Sequence, residues 1–139
     1  MANDIADDVY KRITVLTDRG NRKSDRGRYA EAIADFEQAL ALVPEPLEER
    51  EASTWILIAL GDCQFLQGNF AAARDYLERA LECPDVEGTE FLALRLGQTL
   101  LELGHDEEAR AALEDAWDLG GATLFEDEDP KYLALLQKR

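Results

Sequence analysis

Apolar side chains recur along this 139-residue chain with the 3.6-residue period of a helix. Ile33, Phe36 and Leu40 line one such face, Leu77 and Leu81 a second, Leu113 and Trp117 a third. The pattern predicts helices over residues 3–25, 28–43, 47–67, 70–83, 86–103, 106–119 and 130–137, and no strand. In the last of these, Asp129 stands where a capping side chain is needed and Pro130 where the first helical turn tolerates proline. The expected fold class is therefore all-α.

Small residues sort the helices into pairs. Gly20, Gly27, Ala32 and Ala39 are separated by seven, five and seven positions. Gly61, Gly68, Ala73 and Ala80 repeat that spacing, and so do Gly97, Gly104, Ala109 and Ala116. In two antiparallel helices the first Gly and first Ala belong at the closest approach, where a larger side chain would push the axes apart. The second Gly suits the left-handed residue that ends a helix and satisfies its last carbonyls. The second Ala would face the next helix of a stack. A short unit of this kind cannot bury its apolar face alone, which argues for stacked hairpins.

This frame resembles the tetratricopeptide-repeat family. The second copy reads Leu57-x-x-Leu60-Gly61, then Gly68-Asn69-Phe70, Ala73-x-x-x-Leu77, Ala80 and Pro84. The first carries Gly27-Arg28-Tyr29-Ala30-Glu31-Ala32-Ile33, Phe36, Ala39-Leu40 and Pro44, and the third Leu96-Gly97, Leu100, Gly104, Ala109, Leu113 and Ala116. The resemblance implies a solenoid of antiparallel helix-turn-helix repeats at about 13–46, 54–87 and 90–123. A capping helix at 130–137 would close it, within a single domain spanning 1–139.

Two departures change the picture. The copies start 41 and 36 residues apart, against the usual 34. Seven extra residues fall between Glu45 and Ser53, and they are expected to start the third helix early, near Pro46 or Leu47. Glu48, Glu49 and Glu51 would then sit in its opening turns, where acids suit the helix dipole. Arg19 and Lys23 stand where the family has apolar residues, so the first helix is expected to have a weak packing face.

Composition narrows the function classes. Apolar residues make up 46%, too many for a disordered acidic tail. The longest apolar run, Trp55 to Gly61, falls far short of the roughly 20 residues a membrane span needs. Asp4, Asp7 and Asp8 near the start, with no apolar run, argue against a signal peptide, so a cytoplasmic location is expected. Cys63 and Cys83, among apolar neighbours, read as reduced buried thiols. His105 is the only histidine, which rules out a His cluster or a conventional triad. Gly120-Gly121 lacks the following Lys-Ser or Lys-Thr of a phosphate loop. No enzyme activity, catalytic residue, metal or cofactor is expected.

Net charge is −15, unevenly distributed. Residues 11–28 hold seven bases against Asp18 and Asp25, whereas residues 29–139 hold 25 acids against 8 bases. The basic run lacks interleaved aromatics and the remaining surface would repel phosphate, which argues against nucleic acid.

The family resemblance implies a concave groove lined by the first helix of each repeat. By spacing, its positions are Thr14, Thr17 and Asn21, then Trp55, Ile58, Asp62 and Phe65, then Phe91, Leu94, Arg95 and Gln98. The middle is apolar and aromatic, as binding hot spots are. Asn21 and Arg95 also match positions of the carboxylate clamp that some members use for chaperone peptides. Thr17, Ala59 and Phe91 do not, and both clamp lysines are absent. The leading expectation is an adaptor binding another protein or peptide, with a basic partner favoured by the charge. A homodimer, or burial of the aromatics under the tail, competes with an open groove. The stretch Phe125 to Leu133 weakly resembles the tail of small bacterial members, some of them encoded beside toxins; the first alternative is an acidic, cytoplasmic immunity-type protein that neutralises a basic toxin. An RNA-associated regulator using the basic first helix is the second.

Overall fold

The computed structural model describes residues 5–137, which form seven α-helices and one 3-10 turn, with no strand among them. They are α1 (Asp7–Asp25), α2 (Tyr29–Leu42), α3 (Glu51–Leu66), α4 (Phe70–Leu81), α5 (Thr89–Glu102), α6 (Asp106–Phe125) and α7 (Pro130–Gln137). Residues 3 and 4 of the first predicted helix lie outside the described residues. Two compact units divide between Val86 and Glu87. The first holds the hairpins α1/α2 and α3/α4, with α2 packed on α3; the second holds α5/α6, with α7 against α6.

The small residues set the hairpin spacing. A Cβ added to Gly20 would lie 2.7 Å from the Phe36 ring, one on Gly61 2.5 Å from Leu77, and one on Gly97 2.6 Å from Leu113. Such distances are well inside van der Waals contact, so these three positions hold the helices closer than any side chain would allow. Ala32, Ala73 and Ala109, one turn before those partners, are completely buried. In the first unit the interior is a continuous cluster of Ile13, Ala32, Phe36, Ala39, Ile56, Leu60 and Cys63, contributed by α1, α2 and α3.

The turns are built alike. Gly68 has φ +81° and Gly104 φ +85°, the left-handed region that favours glycine. The Gly68 N–H returns to Phe65 O (2.9 Å) and the Asn69 N–H to Gln64 O (2.9 Å). Gly104 and His105 make the same two bonds to Leu101 and Leu100, and Gly27 and Arg28 to Ser24 and Lys23.

Three expectations need correction. The insertion does not extend α3 back to residue 47. Leu47–Glu49 form a separate 3-10 turn, Arg50 is extended, and α3 begins at Glu51. Arg50 causes the break, because its guanidinium donates to Pro44 O (3.3 Å) and Glu45 O (3.5 Å) and ties the insertion into a compact turn. Nor is the α1 face weak at Arg19 and Lys23. Both reach Asp35 of α2, whose side chain is 2% exposed, at 3.4 and 2.8 Å. An ionic contact to a buried carboxylate replaces the apolar one. Finally, α6 does not stop at 119 but continues to Phe125, with a break at Gly121 (φ 66°). Phe125 is buried and packs against Trp117 with the rings tilted and their centres 5.9 Å apart, which anchors the extra turn.

Among the described residues, no helix is long and apolar enough to cross a membrane.

Candidate functional site

In the first unit, α1 presents Tyr10, Thr14, Thr17 and Asn21 at three- and four-residue intervals, which places them on one side of the helix. The Thr14 hydroxyl donates to Tyr10 O and the Thr17 hydroxyl to Thr14 O, each at 3.0 Å. Both hydroxyls are therefore turned onto their own backbone. Thr14 and Asn21 are exposed and Thr17 half-buried. Tyr10, 52% exposed, belongs to this face and was not anticipated, although it precedes Thr14 by one helical turn.

The α3 contribution is mixed. Trp55 is 50% exposed. Asp62 and Phe65 are half-buried, the latter edge-on to Phe70 of α4 at 5.4 Å. Ile58, expected in the groove, is buried and does not line an open face. Cys63 ties α3 to α1, with its sulfur 3.8 Å from the Ser24 hydroxyl. Burial pushes the Cys63 thiol up to about 11; the Ser24 hydrogen bond opposes this and the Asp62 charge adds to it. A thiol so protonated at neutral pH is a poor nucleophile. Cys83 is only half-buried, less than expected, and burial raises its thiol too.

In the second unit the expected groove residues on α5 are largely covered. Leu94, Arg95 and Gln98 are buried and Phe91 half-buried. The polar members have an occupant, because the segment leading into α7 supplies Glu128. Its Oε1 accepts from Gln98 Nε2 (2.6 Å) and Arg95 Nη1 (3.1 Å), and Arg95 Nη1 also donates to Gln98 Oε1 (2.7 Å). The Arg95 guanidinium lies 4.8 Å from the Phe91 ring centre, a cation–π contact. The arginine that resembles part of a carboxylate clamp thus already holds a carboxylate of its own chain. One helical turn on, Glu102 Oε2 accepts from Tyr132 (2.8 Å) and pairs with Lys131 (2.6 Å). The Asp129 side chain accepts from the Lys131 N–H (3.0 Å), capping α7 as expected.

These contacts give α7 docking a pH dependence. Burial alone would raise the Glu102 carboxyl, but the hydrogen bonds from Lys131 and Tyr132 outweigh it and hold the group below its ordinary 4.5. Because the folded value lies below the unfolded one, the stabilisation is complete above about pH 4.5 and fades as pH falls through the folded value. The protection of α7 amides, taken relative to their intrinsic exchange rates, should therefore fall only in acid, and Glu102→Gln should flatten that acid limb. An α7 that loosens between pH 6 and 8 instead would contradict this assignment.

Among the described residues, no group of three or more His, Cys, Asp or Glu side chains is placed to hold a metal ion.

No curated protein sequence matches the chain. Solved structures match it across nearly its full length. The C-terminal TPR-containing domain of a Plasmodium falciparum FK506-binding protein aligns with a TM-score of 0.77 at 19% identity, covering 99% of this chain and 95% of that one. The first TPR of Spaghetti, bound to the HSP90 peptide SRMEEVD, gives 0.68 at 20%, covering 92% of each chain. The Yersinia enterocolitica type III secretion chaperone SycD, in complex with a peptide of the translocator YopD, gives 0.68 at 18%, covering 97% and 95%. At these identities the likeness establishes the fold. Family models for the tetratricopeptide repeat match residues 12–84 and 92–119, more than half of the chain, and coincide with the Gly/Ala frame. The chain is a member of the tetratricopeptide-repeat family.

Proposed function

We propose that the chain is a protein-interaction module that holds an apolar segment of a partner protein or peptide against the α1/α3 face of its first unit. The observation that carries this reading is Trp55, a tryptophan left 50% exposed on a helix whose neighbouring residues Thr54 and Ile56 are buried. Exposed aromatic anchors of this kind concentrate binding energy. Tyr10, Thr14 and Asn21 across α1 add an amphipathic wall, and Asp62 adds a carboxylate. Two structures of the same fold carry peptides, the HSP90 peptide on Spaghetti and the YopD peptide on SycD, which supports a peptide-sized occupant here. The excess of acids favours a segment with cationic residues beside its apolar anchor. On this reading the chain binds rather than catalyses.

Trp55→Ala should weaken partner binding by about 2 kcal/mol or more, roughly 30-fold, and leave the unfolding midpoint nearly unchanged. Titration calorimetry with the captured partner and urea unfolding measure the two effects. A stability loss of about 3 kcal/mol without partner would identify Trp55 as core and remove the groove.

Neutralisation of one basic protein is the second reading, favoured by the net charge of −15. A single stoichiometric basic partner, rather than several substoichiometric ones, would select it. The RNA reading loses ground, because Arg19 and Lys23, two of the seven bases available, are paired with Asp35.

A further inference from the structure

The proposed groove leaves the adjoining flank of α1 unused. Lys11, Val15 and Arg22 follow one another there at helical spacing, with Arg12 alongside, Asp18 between Val15 and Arg22, and Arg19 at the edge, already paired with Asp35. Lys11 and Arg12 are exposed, and Val15 is 57% exposed in the middle of the basic stripe. Together with Leu16 of the same helix and Gln38 of α2, Lys11, Arg12 and Val15 line a shallow hollow of about 300 Å³.

The second unit carries the complementary chemistry. Trp117 of α6, 40% exposed, forms a groove of about 600 Å³ with Leu133 and Leu136 of α7. Glu114 and Asp118 stand on its rim. Residues 87–139 hold 13 acids against 5 bases, and two of those bases, Arg95 and Lys131, are already paired with Glu128 and Glu102. An apolar groove with an acidic rim calls for an apolar side chain flanked by cations, and the chain itself presents that on α1.

We propose that the α1 stripe of one copy docks into the Trp117 groove of a second copy, Val15 against the tryptophan and Lys11 and Arg12 toward Asp118 and Glu114. A two-fold dimer is disfavoured for either surface, because pairing stripe with stripe sets bases against bases and pairing groove with groove sets acids against acids. The contact therefore joins unlike surfaces, each copy offering one stripe and one groove, and assembly grows with concentration unless it closes as a reciprocal pair or a ring. This site shares no residue with the Trp55 face, so its failure would leave the proposed function standing.

Sedimentation of the full chain at low salt, from micromolar to millimolar concentration, tests it. The average mass should rise with concentration, and high salt should weaken association by about tenfold or more. The triple variant Lys11→Gln, Arg12→Gln, Val15→Gln removes the stripe, and Asp118→Lys inverts the rim; all four residues are exposed, and circular dichroism checks that both variants fold. Each alone should stay monomeric. Mixed in equal amounts, the intact stripe of one should enter the intact groove of the other and stop at a dimer. A chain that is monomeric throughout overturns the proposal. So does self-association that survives Asp118→Lys or is insensitive to salt, a mixture that stays monomeric, or one that grows past two copies.

Discussion

Phe36→Ala should destabilise the first unit by about 3–5 kcal/mol, the range for emptying a packed aromatic site. Phe36 is 1% exposed, belongs to the cluster joining α1, α2 and α3, and fills the space opposite Gly20. Its neighbours are held by two hairpins, so they can close only part of the resulting void. The contact makes a second, sharper expectation. Gly20→Ala should cost about 1–3 kcal/mol by overpacking against the Phe36 ring, and much of that cost should vanish in a Phe36→Leu background. Urea unfolding of the two singles and the double measures the coupling. Strict additivity would mean that Gly20 and Phe36 do not meet. Leu81→Ala, at a site 59% exposed, serves as the control and should change stability by no more than about 0.5 kcal/mol.

The second large effect is expected in the other unit. Glu128→Ala should cost about 2–3 kcal/mol, because it removes the acceptor from two buried donors at once. Gln98 is fully buried and the Arg95 side chain is 8% exposed, so neither recovers its lost bond from water without local opening. The residual charge on Arg95 aggravates the loss, as an uncompensated buried ion does. Glu128→Gln keeps one acceptor and should cost less. Hydrogen exchange should show the change concentrated in α7 and the facing side of α5, with α1 to α4 unaffected. Uniform loosening of all seven helices, or no change in α7, would show that Glu128 does not dock the tail.

What could be read in advance followed from spacing. The three Gly/Ala frames located every hairpin, because closest approach and left-handed turns admit few residue types, and the periodicity then supplied most of the buried faces, though Leu81 and Trp117 at their ends are 59% and 40% exposed. The features that escaped depend on pairings between distant side chains. No rule of spacing joins Arg19 and Lys23 to Asp35, so an ionic contact read as a packing defect. Glu128 looked like one more acid in a solvated tail, although it meets Arg95 across 33 positions. The turn at Leu47–Glu49 was missed because acids near a helix start are ordinary, whereas the deciding contact is Arg50 with carbonyls behind it. For the expected groove positions, the same logic did not give the exposure. Position on a first helix predicts direction, while what covers α5 comes from the far end of the chain.

Each of the three glycines at closest approach faces a side chain sixteen residues further on: Gly20 and Phe36, Gly61 and Leu77, Gly97 and Leu113. The hydrogen bonds of each turn close over three to five residues. Contacts so near in sequence place the chain among the fast-folding topologies, since little chain entropy is lost before packing begins to repay it. Any of the hairpins can then nucleate, with its neighbours condensing onto it. The seven-residue insertion lies outside all three of these closures, between α2 and α3, so a lengthened linker lengthens no step on which nucleation depends.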